Sequence, residues 1–187
     1  MTKTNLDANA WIQAAFRALT SGGPQAIKAE AIARELGVSK GSFYWHFKNV
    51  GALKIQMLQH WKREATDSII EALETDDASA VERLRKLVEV STGSADKDYG
   101  GVLVEAAIRD WARYDTSAAE TVRTVDEGRL AYLNTLFEQC GFTPAKSVSN
   151  SASLYGALIG LASLSHNGLA DLRADLGFLL ETLLKAD

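Results

Sequence analysis

A chain of 187 residues is long enough to bury one sizeable core or two smaller ones, and its 47% hydrophobic and 24% charged residues exclude extended disorder. The net charge of −4 argues against a nucleic-acid-binding surface over the whole molecule. Residues 1–60, however, carry seven Lys/Arg against three Asp/Glu, so a basic first part precedes an acidic remainder, as expected if only the first part meets phosphates.

No apolar run approaches the roughly 20 residues that a membrane span requires, and we therefore expect no membrane partner. The N-terminus lacks the apolar core of a secretory signal, so we expect no export. Cys140 is the single cysteine, which excludes an intramolecular disulfide and is typical of a protein of the reducing cytoplasm.

Residues 5–21 show the first helical pattern. Apolar side chains recur at steps of three and four: Trp11, Ile12, Ala15, Phe16 and Leu19. Asp7 can cap this helix, and the Gly-Gly-Pro run at residues 22–24 ends it. We expect Trp11 and Phe16 to be core residues that brace the two helices that follow.

Residues 28–49 read as two short helices joined by a tight turn. Gly37 stands where the first helix must end, because a C-terminal cap commonly needs the positive φ that glycine adopts easily. Ser39 is predicted to cap the second helix, and Phe43 and Phe47 lie one turn apart as its apolar anchor. The first helix has its own apolar face, formed by Ile32, Ala33 and Leu36. This spacing predicts a helix-turn-helix.

The remaining face of the second helix carries donors, aromatic rings and a glycine, namely Lys40, Gly41, Ser42, Tyr44, Trp45, His46 and Lys48. Such groups suit contacts with phosphates and base edges, so the segment is predicted to read DNA. The alternatives are packing of Tyr44 against the first helix, a plain surface position for His46, and ordinary solvated charge for Lys28 and Lys48.

After Asn49, which can cap it, a long helix is predicted to run to about Leu73. Its apolar stripe follows unbroken steps of four through Leu53, Met57, Trp61, Ala65, Ile69 and Leu73. About 25 residues span roughly 37 Å, which is enough to connect a DNA-binding head to a separate body. The Thr75-Asp76-Asp77 segment is expected to end it.

The rest of the chain is helical by pattern, over residues 78–92, 102–114, 117–139, 144–167 and 169–185, with a loop at 91–101. Strand-like alternation does not persist anywhere. We therefore predict an all-α fold of about nine helices. Residues 1–50 would form a three-helix DNA-binding head, with the motif at about 28–47, and residues 51–187 a helical-bundle body for ligand binding and dimerisation.

The last two predicted helices share a broad apolar surface. We predict a dimer interface of four helices across a two-fold axis, built on Leu154, Leu158, Leu161, Leu172, Leu176, Leu179 and Leu183. The alternative is that these leucines fill the core of a single chain.

The run from Ala33 to Asn49 resembles the TetR family of bacterial transcriptional regulators, and the resemblance extends from about Asn9 to Leu58. The pattern that carries it is A-x-x-x-G-V-S-x-G-[ST]-[FL]-Y-x-H-F. The resemblance implies a homodimer that binds a palindromic operator in double-stranded DNA, most often as a repressor. It also implies a small-molecule effector that binds the body and releases the DNA.

The resemblance implies DNA contacts at the starts of the two motif helices, by Lys28, Ser39, Lys40, Gly41 and Ser42. Tyr44 and His46 match a Tyr-x-His pair that meets phosphates, with Trp45 between them. Many members carry a lysine just before the long helix. Here that neighbourhood reads Lys48-Asn49-Val50-Gly51, and we expect Lys48 to make the phosphate contact from a shifted position.

An effector pocket is harder to read from the sequence. Its predicted wall consists of aromatic and apolar residues, Trp61, Leu103, Ala107, Trp111 and Tyr155. The alternative is that each is plain core.

An enzyme is disfavoured, because His46, His60 and His166 are scattered and show no metal-ligand spacing, and no cofactor is expected. An effector-independent DNA-binding architectural or division-control protein of the same fold stays open as an alternative.

Overall fold

The computed structural model describes residues 7–74, 77–93 and 99–185, which form helices joined by turns and loops, without a β-strand in those ranges. The helices are α1 Ala8–Gly22, α2 Ala29–Glu35, α3 Lys40–Phe43, α4 Val50–Lys62, α5 Ser68–Glu74, α6 Ala80–Ser91, α7 Val104–Trp111, α8 Thr116–Gln139, α9 Pro144–His166 and α10 Leu172–Lys185. A π-helical segment, Arg63–Asp67, joins α4 to α5, and short 3₁₀ turns occupy Pro24–Ala26 and Gly101–Leu103. With α4, the π-helical segment and α5 counted as one, the described residues hold nine helices, which confirms the predicted all-α class.

The chain divides into two compact units. The first comprises Met1–Lys62 and Ser94–Arg123, and the second Arg63–Gly93 and Thr124–Asp187. The functional boundary predicted between residues 50 and 51 stays a prediction. Parts of the predicted break at 75–77 and of the loop at 91–101 lie outside the described residues. Among the described helices, none combines the length and the apolar character needed to cross a membrane.

Helix α1 is the centre of the first unit, where it packs against α2, α4 and α7. Trp11 and Phe16 are buried, and the Trp11 ring meets Phe43 edge-on with centroids 5.4 Å apart. This contact confirms that α1 braces the motif. Gly100 lies close to the backbone of α1. It adopts φ +89°, and a Cβ there would lie 3.2 Å from the Phe16 carbonyl oxygen.

Three of four predicted helix caps are present in the structure. Asp7 accepts a hydrogen bond from the Ala10 N–H (2.9 Å), Asn49 accepts one from the Ala52 N–H (2.9 Å), and Gly37 has φ +68°. The cap predicted for Ser39 is wrong. Helix α3 is a single turn whose Ser42 N–H bonds to the Ser39 carbonyl oxygen (3.0 Å), so the hydroxyl is not the acceptor.

The predicted long helix is present, but its register shifts in the middle. A π-helical turn accommodates one extra residue, and the buried side chain there is Thr66, whereas Ala65 of the predicted stripe is only half-buried. Leu53, Met57 and Trp61 on the preceding turns are buried as expected. The steps of four therefore hold up to Trp61 and fail at Ala65.

The core of the second unit is built from apolar side chains of α6, α8, α9 and α10. Its buried members are Leu84, Val88, Leu133, Leu136, Phe137, Leu154, Tyr155, Leu176 and Leu180. Helix α6 begins with a capping box, in which Ser79 and Glu82 satisfy each other's backbone N–H groups. Helix α9 begins at Pro144 after Thr143, whose side chain accepts from the Lys146 N–H.

Candidate nucleic-acid interface

The turn between α2 and α3 is a Schellman motif. The Val38 N–H bonds to the Ala33 carbonyl oxygen (2.9 Å), and the Gly37 N–H bonds to the Arg34 carbonyl oxygen (3.3 Å). The positive φ of Gly37 makes both bonds compatible, and a Cβ there would meet nothing within 4 Å. The turn therefore ends α2 and redirects the chain into α3 within three residues.

Helix α3 and the turns after it rest on two buried rings. Phe43 and Phe47 lie with centroids 5.4 Å apart and are almost fully excluded from solvent. Tyr44 packs edge-on against Phe43 at 5.3 Å yet keeps 57% of its surface exposed, and Trp45 is 88% exposed. Tyr44 and Trp45 therefore present aromatic side chains with a polar group to solvent, and such side chains are common in contact surfaces.

Most of the predicted DNA contacts are exposed to solvent. Lys28, Ser39, Lys40, Gly41, Tyr44, Trp45 and Lys48 are exposed, whereas Ser42 and His46 are half-buried. Lys28 precedes α2 in extended backbone and makes no side-chain cap. Their contacts with DNA stay predictions.

Lys40 is not an isolated cation on this surface. Its ammonium forms an ion pair with the Glu30 carboxylate on the first turn of α2. The hydrogen bond from Lys40 lowers the pKa of Glu30, and the carboxylate in turn raises the pKa of Lys40. The sequence did not indicate the role of Glu30, because nothing in the nine intervening residues shows that its side chain meets Lys40.

The residues predicted to line an effector pocket fall in both units. Trp61 and Trp111 are buried in the first unit, where the Lys54 ammonium lies 5.4 Å from the Trp111 ring centroid. Leu103 and Ala107 are half-buried in the same unit. Tyr155 is buried in the second unit. The role of all five residues as pocket wall stays a prediction.

Tyr155 belongs to a polar network that the sequence did not reveal. Its hydroxyl donates to Asp126 Oδ1 (2.6 Å) and accepts from Arg129 (3.1 Å). Arg129 also donates to the Ala65 carbonyl oxygen and the Thr66 hydroxyl, both at 3.0 Å. The guanidinium of α8 thus connects α9 to the π-helical segment. Because the partners are 26 to 64 residues apart in the chain, no local pattern could have indicated them.

The leucines predicted for a dimer interface mostly face the core of the second unit. Leu154 and Leu176 are buried in it, and Leu158, Leu161, Leu179 and Leu183 are partly buried against it, while Leu172 is half-buried. The exposed large apolar residues of the α9–α10 region are instead Val148, Ile159, Leu164, Leu169 and Phe178. The interface role of the leucines stays a prediction.

Comparison with known proteins gives a family match in the N-terminal region. Residues 12–53 match the family model described as bacterial regulatory proteins, tetR family. That range contains α2, α3 and the turn between them. A search of curated protein sequences finds no match.

Several solved structures are similar over nearly the whole chain. A TetR transcriptional regulator from Legionella pneumophila has a TM-score of 0.79 at 14% identity, covering 99% of this chain and 100% of that one. FadR from Bacillus subtilis, in complex with stearoyl-CoA, has 0.71 at 18%, covering 96% and 98%. A transcriptional regulator from Saccharomonospora viridis in complex with choline has 0.76 at 17%, covering 96% of each chain. At these identities the likeness is one of fold.

Proposed function

We propose that the chain, whose residues 12–53 match the model of the TetR family of bacterial regulatory proteins, is a regulator of that family, and that it acts as a homodimeric repressor that binds a palindromic operator and is released by a small-molecule effector. The observation that carries the DNA-binding part is the exposed surface of α3 and its following turns above the buried Phe43–Phe47 pair. Helices that begin with polar residues and rest on an apolar base can enter the major groove. Because its target is the bacterial chromosome, we place the protein in the cytoplasm.

In this proposal, some residues contact base edges and others contact phosphates. Lys40 and Ser42, at the start of α3, contact base edges, because the first residues of a recognition helix reach furthest into the groove. The phosphates, which fix the register of the protein on the duplex, are contacted by Lys28, Tyr44, His46 and Lys48.

The experiment is a double substitution, Lys40→Ala with Tyr44→Ala. Genomic fragments selected by the wild-type protein are titrated with both proteins by fluorescence anisotropy, and helical content is compared by circular dichroism. We expect the double variant to lose specific binding with its helical content intact, because both side chains are largely exposed.

The matched control exchanges a lysine and a tyrosine elsewhere, Lys185→Ala with Tyr114→Ala, both exposed and outside residues 28–49. The control should bind like the wild type. Wild-type affinity in the Lys40/Tyr44 variant would remove the proposed DNA-reading role of α3.

Dimerisation is supported by the outer face of α9. Val148, Ala152, Gly156 and Ile159 follow one another at steps of three and four and are all exposed. A Cβ built at Gly156 or Gly160 would meet nothing within 4 Å, so packing within the chain does not require glycine at either position. Small residues at four-residue spacing let a second helix approach closely. We assign this face and the exposed Phe178 of α10 to the contact between protomers.

Effector binding is supported by polar groups inside the second unit. Ser147, Asn150 and Ser151 lie on one face of α9 and are buried, and the Ser147 and Ser151 hydroxyls and the Asn150 amide nitrogen have no hydrogen-bond partner among the described residues. Exposed Ser149 and Ser153, by contrast, bond back to carbonyl oxygens one turn earlier. Buried polar groups normally find partners, so this face of α9 is where a hydrogen-bonding ligand would be accommodated.

A further inference from the structure

Glu30 and Lys40 tie the first turn of α2 to the first turn of α3. The carboxylate side chain is 58% exposed and the lysine side chain 49% exposed, so the pair lies on the outer surface of the motif. Each partner shifts the pKa of the other toward the charged form. Both groups are therefore ionised over the physiological range, and the ammonium is held toward α2.

Residues 28–49 contain one other acidic residue, Glu35, and its environment differs. Glu35 pairs with Arg17 of α1, with the guanidinium nitrogen 2.7 Å from Oε1. It lies at the C-terminal end of α2, whereas Glu30 lies in the first turn. The motif thus holds two carboxylates that each pair with a cation, and only the Glu30 pair involves a residue proposed to read DNA.

We propose that Glu30 is a specificity-determining residue, which competes with DNA phosphates for the Lys40 ammonium. The inference rests on the proposed DNA-reading role of α3. On arbitrary DNA, Lys40 is offered only phosphate oxygens, and it must give up or share its bond to Glu30 to reach them.

At the operator, Lys40 gains a better partner when it leaves Glu30. A base edge such as guanine O6 and N7 presents acceptors to the first turn of a recognition helix in a fixed direction. Lys40 can then exchange Glu30 for a hydrogen bond to the base edge, and this bond offsets the loss of the ion pair. Because exposed ion pairs are weak, the exchange requires little free energy and is reversible. Glu30 therefore lowers non-specific affinity more than operator affinity.

The test is Glu30→Gln, which removes the charge and keeps the side-chain size. Affinities for the selected operator fragment and for a scrambled duplex are measured between about 50 and 200 mM salt. We expect affinity for the scrambled duplex to rise about three- to tenfold while operator affinity changes less, so the ratio between the two falls. The salt slope on scrambled DNA should steepen by about one per protomer, since one further phosphate is neutralised.

Glu35→Gln is the matched control, because it removes the same charge from the same helix but leaves the Lys40 pair intact. The ratio of operator to scrambled affinity should stay at the wild-type value in this variant. In a Lys40→Ala background, Glu30→Gln should have no further effect on that ratio, which a merely structural role of Glu30 would not produce.

An unchanged ratio in Glu30→Gln, an equal fall in Glu35→Gln, or a fall that persists without Lys40 would overturn the proposal. If Glu30→Gln failed to fold, as judged by circular dichroism, Glu30→Ala replaces it with the same expectations. A wild-type protein that prefers no genomic fragment would instead defeat the proposed function, so the two failures are distinguishable.

Discussion

Gly41 lies in the first turn of α3 with ordinary space around it. A Cβ built there would have the Ser39 hydroxyl oxygen as its nearest neighbour, at 3.6 Å, and the glycine does not need a positive φ. The fold therefore does not require glycine at this position. On the proposed function, glycine is required at this position because the backbone of α3 must approach the wall of the major groove closely.

We expect Gly41→Ala to separate stability from DNA binding. The free energy of unfolding should rise by about 0.4–1 kcal/mol, because alanine restricts the unfolded chain and suits a helix. Operator affinity should fall roughly tenfold, or about 1.4 kcal/mol. Urea denaturation and anisotropy titration measure the two quantities.

Gly128→Ala is the control, since Gly128 is also helical with open space at its Cβ but lies on α8. It should gain stability with operator affinity unchanged. Unaltered operator affinity in Gly41→Ala would show that the backbone of α3 stays away from the duplex.

Single residues also show how far the sequence could predict the site. Gly37, Phe43 and Phe47 were predictable, because their roles depend on neighbours within one or two turns. The hydroxyl of Ser39 was misjudged, since a one-turn helix satisfies the relevant N–H from its own backbone. The partner of Lys40 lies on another helix, and its identity depends on how α2 and α3 cross.

At the scale of elements, the π-helical segment Arg63–Asp67 is the main departure from the predicted helices. A stripe of apolar residues at steps of four indicates a regular α-helix, and the sequence carries that stripe through the segment. The π turn is accompanied by long-range bonds from Arg129 to Ala65 and Thr66. Such bonds leave no trace in local periodicity, and for this reason the interruption was not predicted.

Replacing Arg129 by Met should destabilise the protein by about 2 kcal/mol, because the Ala65 carbonyl and the Thr66 hydroxyl lose a partly buried charged donor. The midpoint of urea denaturation, followed by circular dichroism, measures the loss. Arg123→Met on the same helix is the control; Arg123 is exposed, so its replacement should change stability by less than about 0.5 kcal/mol. Equal midpoints for the two variants would contradict a stabilising role of the network.

At the scale of the whole molecule, the all-α class and the helix-turn-helix followed from periodicity and capping. The leucines of α9 and α10 were less informative, because a leucine-rich face suits a core and an interface equally well. The structure turns Leu154 and Leu176 inward and leaves small residues such as Gly156 outside. Glycines carry little hydrophobic signal, so a sequence pattern weighted toward large apolar residues overlooks them.

We expect the protein to sediment as a dimer, near twice 20.3 kDa, at micromolar concentration. Gly156→Gln combined with Gly160→Gln should shift it to the monomer. The added side chains have room within one chain but would separate two helices packed at this face. Gly128→Gln, with the same change on α8, should remain a dimer. A wild-type monomer, or a dimeric Gly156/Gly160 variant, would contradict the proposed interface.

The four tryptophans of the chain divide unevenly between interior and surface. Trp11, Trp61 and Trp111 are buried, whereas Trp45 projects from the proposed DNA-reading surface with 88% of its area exposed. Intrinsic fluorescence therefore has one component that a small quencher such as iodide can reach and three that it cannot. Bound DNA would shield that one component. The protein thus contains its own optical probe of operator occupancy, positioned without a chemical label, and Trp45→Phe supplies the blank.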